Sequence, residues 1–76
     1  MKIEILGTGC PKCKKMYDNV IEVLKKSGKN ADVVKVEDIM KITEYGVMMT
    51  PALVVDGVVK SSGKLLSHEQ IHDLLN

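Results

Sequence analysis

The segment 7–13, Gly-Thr-Gly-Cys-Pro-Lys-Cys, most constrains this chain because it holds both cysteines and separates two different hydrophobic patterns. Residues 1–6 form a short apolar run of the kind found in a buried strand. Apolar residues then recur at helical spacing, and Pro11 suits the first turn of a helix, where no N–H donor is needed. Cys10 is therefore predicted at the helix N-terminus, and Cys13 one turn inside on the apolar side.

This position favours a reactive Cys10. The first N–H groups of a helix have no intrahelical partners, and the helix dipole places positive partial charge at that end. Both features stabilise a thiolate, as do the charges of Lys12, Lys14 and Lys15. We therefore predict that the pKa of Cys10 is lowered and that its thiolate attacks a disulfide of another molecule. Cys13 would then resolve the mixed disulfide.

Three less reactive interpretations of the cysteine pair are open. A purely structural disulfide would add little stability, because it closes a very small loop. A metal site could recruit His68 and His72, but the gap from Cys13 to His68 is several times the roughly 12–15 residues of a zinc finger. Two unreactive buried cysteines fit poorly with Pro11 and the surrounding lysines.

The composition restricts the compartment and the partners. The chain has 76 residues, 45% hydrophobic and 28% charged, which predicts one folded domain over 1–76. A net charge of +1 predicts neither a nucleic-acid nor a membrane partner. No apolar run approaches the ~18 residues of a membrane span, and no signal peptide is recognisable. A cytoplasmic location follows, where a CxxC pair is more often redox-active or metal-binding than structural.

Hydrophobic periodicity and turn signals predict six further elements after the first strand. They are a helix over 11–26, a strand over 31–36, a helix from Asp38 to Tyr45-Gly46, strands over 52–55 and 58–60 joined at Asp56-Gly57, and a helix opening with a capping box at Ser67. The first strand, helix and strand predict a right-handed parallel crossover. The Asp-Gly turn predicts an antiparallel pair, and residues 61–64 are predicted as a loop. Ile39, Met40 and Ile42 are predicted to form the apolar side of the second helix.

Glu4 interrupts the apolar run of the first strand, and two interpretations are open. It could occupy a solvated edge position. Alternatively, a carboxylate buried beneath the disulfide could shuttle a proton for Cys13, with its own pKa raised by desolvation.

The element order and two motifs resemble the thioredoxin fold, and most closely the small thioredoxin/glutaredoxin-like proteins of archaea and bacteria. The motifs are Gly-x-Gly-Cys-x-x-Cys at 7–13 and Gly-Val-x-x-Thr-Pro-Ala-Leu-Val-Val-Asp-Gly at 46–57. The resemblance implies an α/β minimal thioredoxin fold, β-α-β-α-β-β-α, with a four-stranded mixed sheet flanked by three helices. It also implies a thiol–disulfide oxidoreductase.

The resemblance further implies roles for individual residues. Pro51 would be cis and would pack against the disulfide, and the backbone of Thr50 would bind an extended substrate segment. The predicted substrate-binding residues are Thr50, Met49 and Gly9. At least one of Met48 and Met49 is predicted to be exposed near Cys10. Glu4 matches the buried aspartate of thioredoxins in position but not in residue type.

The predicted function is therefore reduction of protein disulfides in the cytosol by a Cys10-Cys13 dithiol/disulfide. The predicted partners are a disulfide reductase and target proteins, and the protein is predicted to be a monomer with neither cofactor nor metal. Pro11 directly after the first cysteine is the glutaredoxin arrangement, so a glutathione-dependent activity is the alternative. Residues 61–64, however, lack the glutaredoxin turn that holds glutathione. A metal or cluster carrier, with the CxxC pair shared in a dimer, is the third hypothesis.

Overall fold

The computed structural model describes residues 1–75, and its elements follow the predicted order. They are β1 (Lys2–Leu6), α1 (Pro11–Ser27), β2 (Asp32–Val36), α2 (Ile39–Glu44), β3 (Ala52–Val55), β4 (Val58–Ser62) and α3 (His68–Leu75). The predicted α/β class, with a four-stranded mixed sheet and three helices, is confirmed.

The sheet has the strand order β2-β1-β3-β4. β1 pairs in parallel with β2 and antiparallel with β3, and β3 pairs antiparallel with β4. β1 and β3 are thus the interior strands, which explains why β3 is entirely apolar and why Ile3, Ile5 and Leu6 of β1 are buried. The strand β4 is longer than predicted. Ser62 pairs with Ala52, and the N–H of Gly63 donates to the carbonyl of Pro51 at 2.9 Å, so the sheet extends through residues predicted as loop.

Two hydrophobic cores cover the two faces of the sheet, because successive residues of a strand point to opposite sides. The first core joins Ile3 and Ile5 of β1 to buried residues of α1 and α3. The second core joins Leu6 of β1 to Ala52 and Val54 of β3 and to the α2 region. We refer to these as the α1 face and the α2 face.

The predicted caps are present. Asp38 accepts a hydrogen bond from the N–H of Met40 at 2.9 Å, and Gly28 ends α1 with a left-handed φ of 68°. Ser67 and Gln70 form the capping box of α3: the Ser67 N–H donates to the Gln70 side chain at 2.9 Å, and the Gln70 N–H donates to the Ser67 hydroxyl at 3.2 Å. These hydrogen bonds confirm the predicted helix ends. The ends could be predicted because capping depends on residues close together in the chain.

The apolar side predicted for α2 is wrong in two of its three residues. Ile42 is buried, but Ile39 is 66% exposed and Met40 is 74% exposed. The helix spans only six residues, so it turns a single side chain into the second core. Within residues 1–75, none of the three helices has the length and apolarity needed to cross a bilayer.

Candidate active site

Cys10 and Cys13 form a disulfide at the N-terminus of α1, with their Cα atoms 5.1 Å apart. Cys10 is the N-cap residue, and its Sγ accepts a hydrogen bond from the N–H of Cys13 at 3.2 Å. Cys10 is half-buried and Cys13 is only 5% exposed. The outer sulfur is therefore the one that another molecule can reach, and it already accepts from an N–H at the positive end of the helix.

Gly7 lies directly against the inner cysteine. A Cβ at Gly7 would collide with the Sγ of Cys13 and would lie 2.9 Å from its Cβ. The backbone of Gly7 is held there because its N–H donates to the carbonyl of Val36 at 2.9 Å. From sequence, Gly7 is predicted only as part of the Gly-x-Gly-Cys-x-x-Cys motif. A glycine at the end of a strand, just before a CxxC pair, is the signal that could have suggested this close approach.

The Thr-Pro segment borders the same glycine. The Cβ of Thr50 would lie 3.7 Å from a Cβ at Gly7, and the peptide bond between Thr50 and Pro51 is cis. Pro51 is fully buried and Thr50 is half-buried. The structure thus brings this segment to the inner side of the disulfide, while the substrate-binding role of Thr50 stays a prediction.

The remaining predicted residues of the CxxC segment are on the surface. Gly9 is exposed with a φ of 83°, and a Cβ there would have no neighbour within 4 Å. Pro11 occupies the first position of α1 and Lys12 the second, and both are exposed. Their supporting roles stay predictions.

Glu4 lies on the α2 face of β1. It is 9% exposed, and its carboxylate accepts a hydrogen bond from the Tyr45 hydroxyl at 2.8 Å. This hydrogen bond, followed by burial and the negative charges of Glu4 and Glu44, raises the pKa of Tyr45. The solvated-edge interpretation of Glu4 is wrong, because β1 is an interior strand. The proton-shuttle role stays a prediction, although the hydrogen bond that Glu4 makes is to Tyr45.

A patch of exposed apolar side chains lies beside the Thr-Pro segment. We call it the apolar patch; its members are Ile39, Met48 and Met49. Met48 is 96% exposed and Met49 is 67% exposed. Between Ile39 and Met48, a hollow of about 350 Å³ extends to Thr8 and Thr50. Such a surface is suited to contact with another polypeptide.

The two histidines of α3 lie away from the cysteine pair. The Nε2 of His68 is 3.1 Å from the Oδ1 of Asn19 on α1. The Nδ1 of His72 is 3.9 Å from a carboxylate oxygen of Asp73. Among residues 1–75, no group of three or more His, Cys, Asp and Glu side chains is placed to hold a metal ion.

The family model for the thioredoxin domain matches residues 1–76. The chain belongs to the thioredoxin family. A thioredoxin of Methanocaldococcus jannaschii is 42% identical over 96% of this chain and 84% of its own length. A thioredoxin of Methanothermobacter thermautotrophicus is 38% identical over 100% of this chain and 99% of its own length. The resemblance deduced from the two motifs is confirmed.

A solved structure described as "Structure of a malarial protein" has the same fold. Its TM-score is 0.71 at 15% identity, and the match covers 97% of this chain and 91% of that chain. At this identity the likeness concerns the fold alone. Family membership and the CxxC disulfide together make the protein a thiol–disulfide oxidoreductase.

Proposed function

We propose that this thioredoxin-family protein reduces disulfides of target proteins in the cytoplasm, as a monomer, with the Cys10-Cys13 pair as its only redox group. The observation that carries the proposal is the difference between the two sulfurs at one helix end: Cys10 is accessible, and Cys13 is 5% exposed directly behind it. A pair arranged in this way can attack with one sulfur and resolve with the other.

The reaction proceeds by two exchanges. The Cys10 thiolate attacks one sulfur of the target disulfide, so a Cys10–target bond forms and the other target sulfur leaves as a thiolate. The Cys13 thiolate then attacks the Sγ of Cys10, which forms the intramolecular disulfide and releases the second target thiolate. The target gains two electrons, and its two thiolates take protons from solvent. A separate disulfide reductase returns two electrons to the Cys10-Cys13 pair.

The target segment would lie across the Thr-Pro segment and the apolar patch. An extended chain beside Thr50 can hydrogen-bond to its backbone, as in strand addition, with Met49 and Gly9 on either side. Methionine side chains are flexible and polarisable, so Met48 and Met49 can adapt to different partners. This favours a protein that acts on several targets over one that is specific for a single sequence.

Reduction of insulin disulfides with dithiothreitol as electron donor tests the proposal. Wild-type protein should accelerate the reduction, and Cys10→Ser should not. Absence of acceleration by the wild type would refute the proposal. Activity that requires glutathione and is confined to glutathione mixed disulfides would favour the glutaredoxin-type alternative. Metal bound at one ion per two chains after anaerobic purification would favour the carrier hypothesis.

A further inference from the structure

The five methionines of the chain differ widely in how much of their surface meets solvent. Met16 is fully buried in the first core, whereas Met48 is 96% exposed. Met1, Met40 and Met49 are also exposed. Filling irregular gaps in a core is the usual role of methionine, and here it accounts for Met16 alone. Four thioethers are thus accessible, and two of them, those of Met48 and Met49, directly precede the Thr-Pro segment.

Met48 and Met49 differ in what surrounds their side chains. Met48 borders the hollow that extends to Thr8 and Thr50, and the rest of its surface meets solvent. Met49 lies against the end of β4, because a Cβ at Gly63 would be 3.0 Å from the Cβ of Met49 and 3.6 Å from its sulfur. One side of Met49 is thus covered by protein. Met48 is therefore the methionine that a small oxidant in solvent reaches most easily.

In the disulfide form, the cysteines do not compete with Met48 for an oxidant. Cys10 and Cys13 are bonded to each other, and they are the two cysteines of the chain. A cysteine is oxidised through its thiolate, and a disulfide carries none. The exposed thioethers are then the groups of this surface that a hydroperoxide oxidises most readily. The disulfide form is also the one that accumulates when the supply of reductant falls short.

We propose that Met48 is a reversible oxidation site whose sulfoxide weakens the binding of target proteins. The inference rests on the proposed function. The thioether sulfur takes one oxygen atom from hydrogen peroxide: the S=O bond forms as the O–O bond breaks, the sulfur loses two electrons, and the peroxide leaves as water. A flexible apolar side chain becomes a polar, chiral one. Because Met48 belongs to the apolar patch, apolar contact with a target is lost, while Cys10 is chemically unchanged.

Peptide mass mapping of the disulfide form during treatment with hydrogen peroxide tests the site. Met48 should gain one oxygen first, and Met16 should gain none because it is fully buried. After removal of the peroxide, dithiothreitol reduces the disulfide but not a sulfoxide. The kcat/KM for insulin should then be about threefold to tenfold lower than before treatment, whereas that for dithiodipyridine, a small neutral disulfide, should stay within about twofold. Incubation with methionine sulfoxide reductases for both epimers should restore the value for insulin.

Variants assign the effect to one methionine, each compared with its own untreated sample. Met48→Leu keeps an apolar side chain but cannot form a sulfoxide, so peroxide should leave most of its activity for insulin. Met40→Leu is the matched control: Met40 is also exposed but lies outside the apolar patch, so this variant should lose activity as the wild type does. Met48→Gln, with a polar uncharged side chain, should show the loss without peroxide.

The outcomes separate this inference from the proposed function. Equal losses in Met48→Leu and wild type would overturn the inference, as would protection by Met40→Leu. A treated wild type that loses activity for insulin and for dithiodipyridine alike would also overturn it, because the damage would then be to the cysteine pair. An untreated wild type that does not reduce insulin would instead refute the proposed function itself.

Discussion

At the residue scale, the site depends on how closely the backbone approaches the inner sulfur. Of the six glycines in the chain, five have positive φ, and Gly7 is the remaining one. Residue 7 must be glycine because a side chain there would have no room, and not because the backbone needs a positive φ. Because the Sγ of Cys13 occupies the volume that a side chain would need, residue 7 and the redox pair form one packed unit.

Gly7→Ala should therefore destabilise the protein by about 1–3 kcal/mol, the usual cost of overpacking a well-filled site. Urea unfolding of the oxidised protein measures the loss. Thr8→Ala is the control, since Thr8 is exposed and a surface substitution should change stability by no more than about 0.5 kcal/mol. Equal stabilities of Gly7→Ala and Thr8→Ala would mean that the site can relax around the added methyl.

The two cysteines should behave differently when each is replaced. Cys13→Ser should accumulate a mixed disulfide with a target protein through Cys10, because a serine hydroxyl cannot attack the bond. Cys10→Ser should accumulate none, since Cys13 is only 5% exposed. Mass spectrometry of non-reduced samples identifies the linked cysteine. Trapping through Cys13 in Cys10→Ser, with none in Cys13→Ser, would reverse the assignment.

At the element scale, α2 is tied to the sheet by few contacts. It spans six residues and buries Ile42 alone. The hydrogen bond from Tyr45, its C-cap residue, to Glu4 on β1 therefore adds a polar link between this short helix and the interior strand. The link holds α2 against the sheet and fixes one side of the apolar patch.

This link predicts a pH dependence at high pH. The hydrogen bond to Glu4 raises the pKa of Tyr45, as do burial and the nearby carboxylates. A raised folded-state pKa gives stability that is fully present below the unfolded value of about 10 and is lost as pH rises through the folded pKa. The difference in tyrosinate absorbance between wild type and Tyr45→Phe should have its midpoint above 10.

Glu4→Gln is the control for this titration. It keeps a hydrogen-bond acceptor but removes the charge, so the midpoint of Tyr45 should fall toward the ordinary value. A midpoint of Tyr45 at or below about 10 in the wild type would show that the Glu4 contact does not persist in solution.

At the scale of the whole molecule, the apolar patch is the surface that we propose a target covers when it reacts with Cys10. Its side chains lie on α2 and on the segment before Pro51, at the same end of the sheet as the disulfide. The chain has a net charge of only +1, so long-range attraction contributes little to the encounter. Contact with apolar groups should therefore account for much of the affinity for protein targets.

Met48→Asp tests this surface. Full burial of a Met side chain is worth about 1.5–3 kcal/mol, so kcat/KM for a protein disulfide should fall about tenfold relative to that for dithiodipyridine. Val58→Asp is the matched control: Val58 is 55% exposed on β4, outside the patch. The same fall in both variants would indicate a general effect of added negative charge.

The order of the elements, their caps and the place of both cysteines could be predicted from sequence. Each depends on signals within a few residues. Pro11 can begin a helix but not continue one, Gly28 can adopt a left-handed φ, and Ser67 and Gln70 reach each other across one turn. The position of the CxxC pair at a strand–helix junction could be predicted, because the signals that place it are local as well.

The partners of individual side chains were decided only by the tertiary structure. Glu4 meets Tyr45 across 41 positions of sequence, and Lys35 reaches the ring of Tyr17 from another element. These contacts follow from the strand order and the parallel register of β1 and β2. Strand order and register minimise the free energy of the entire packed chain, and a one-residue change in register would exchange the two faces of a strand. Local sequence signals do not contain that information.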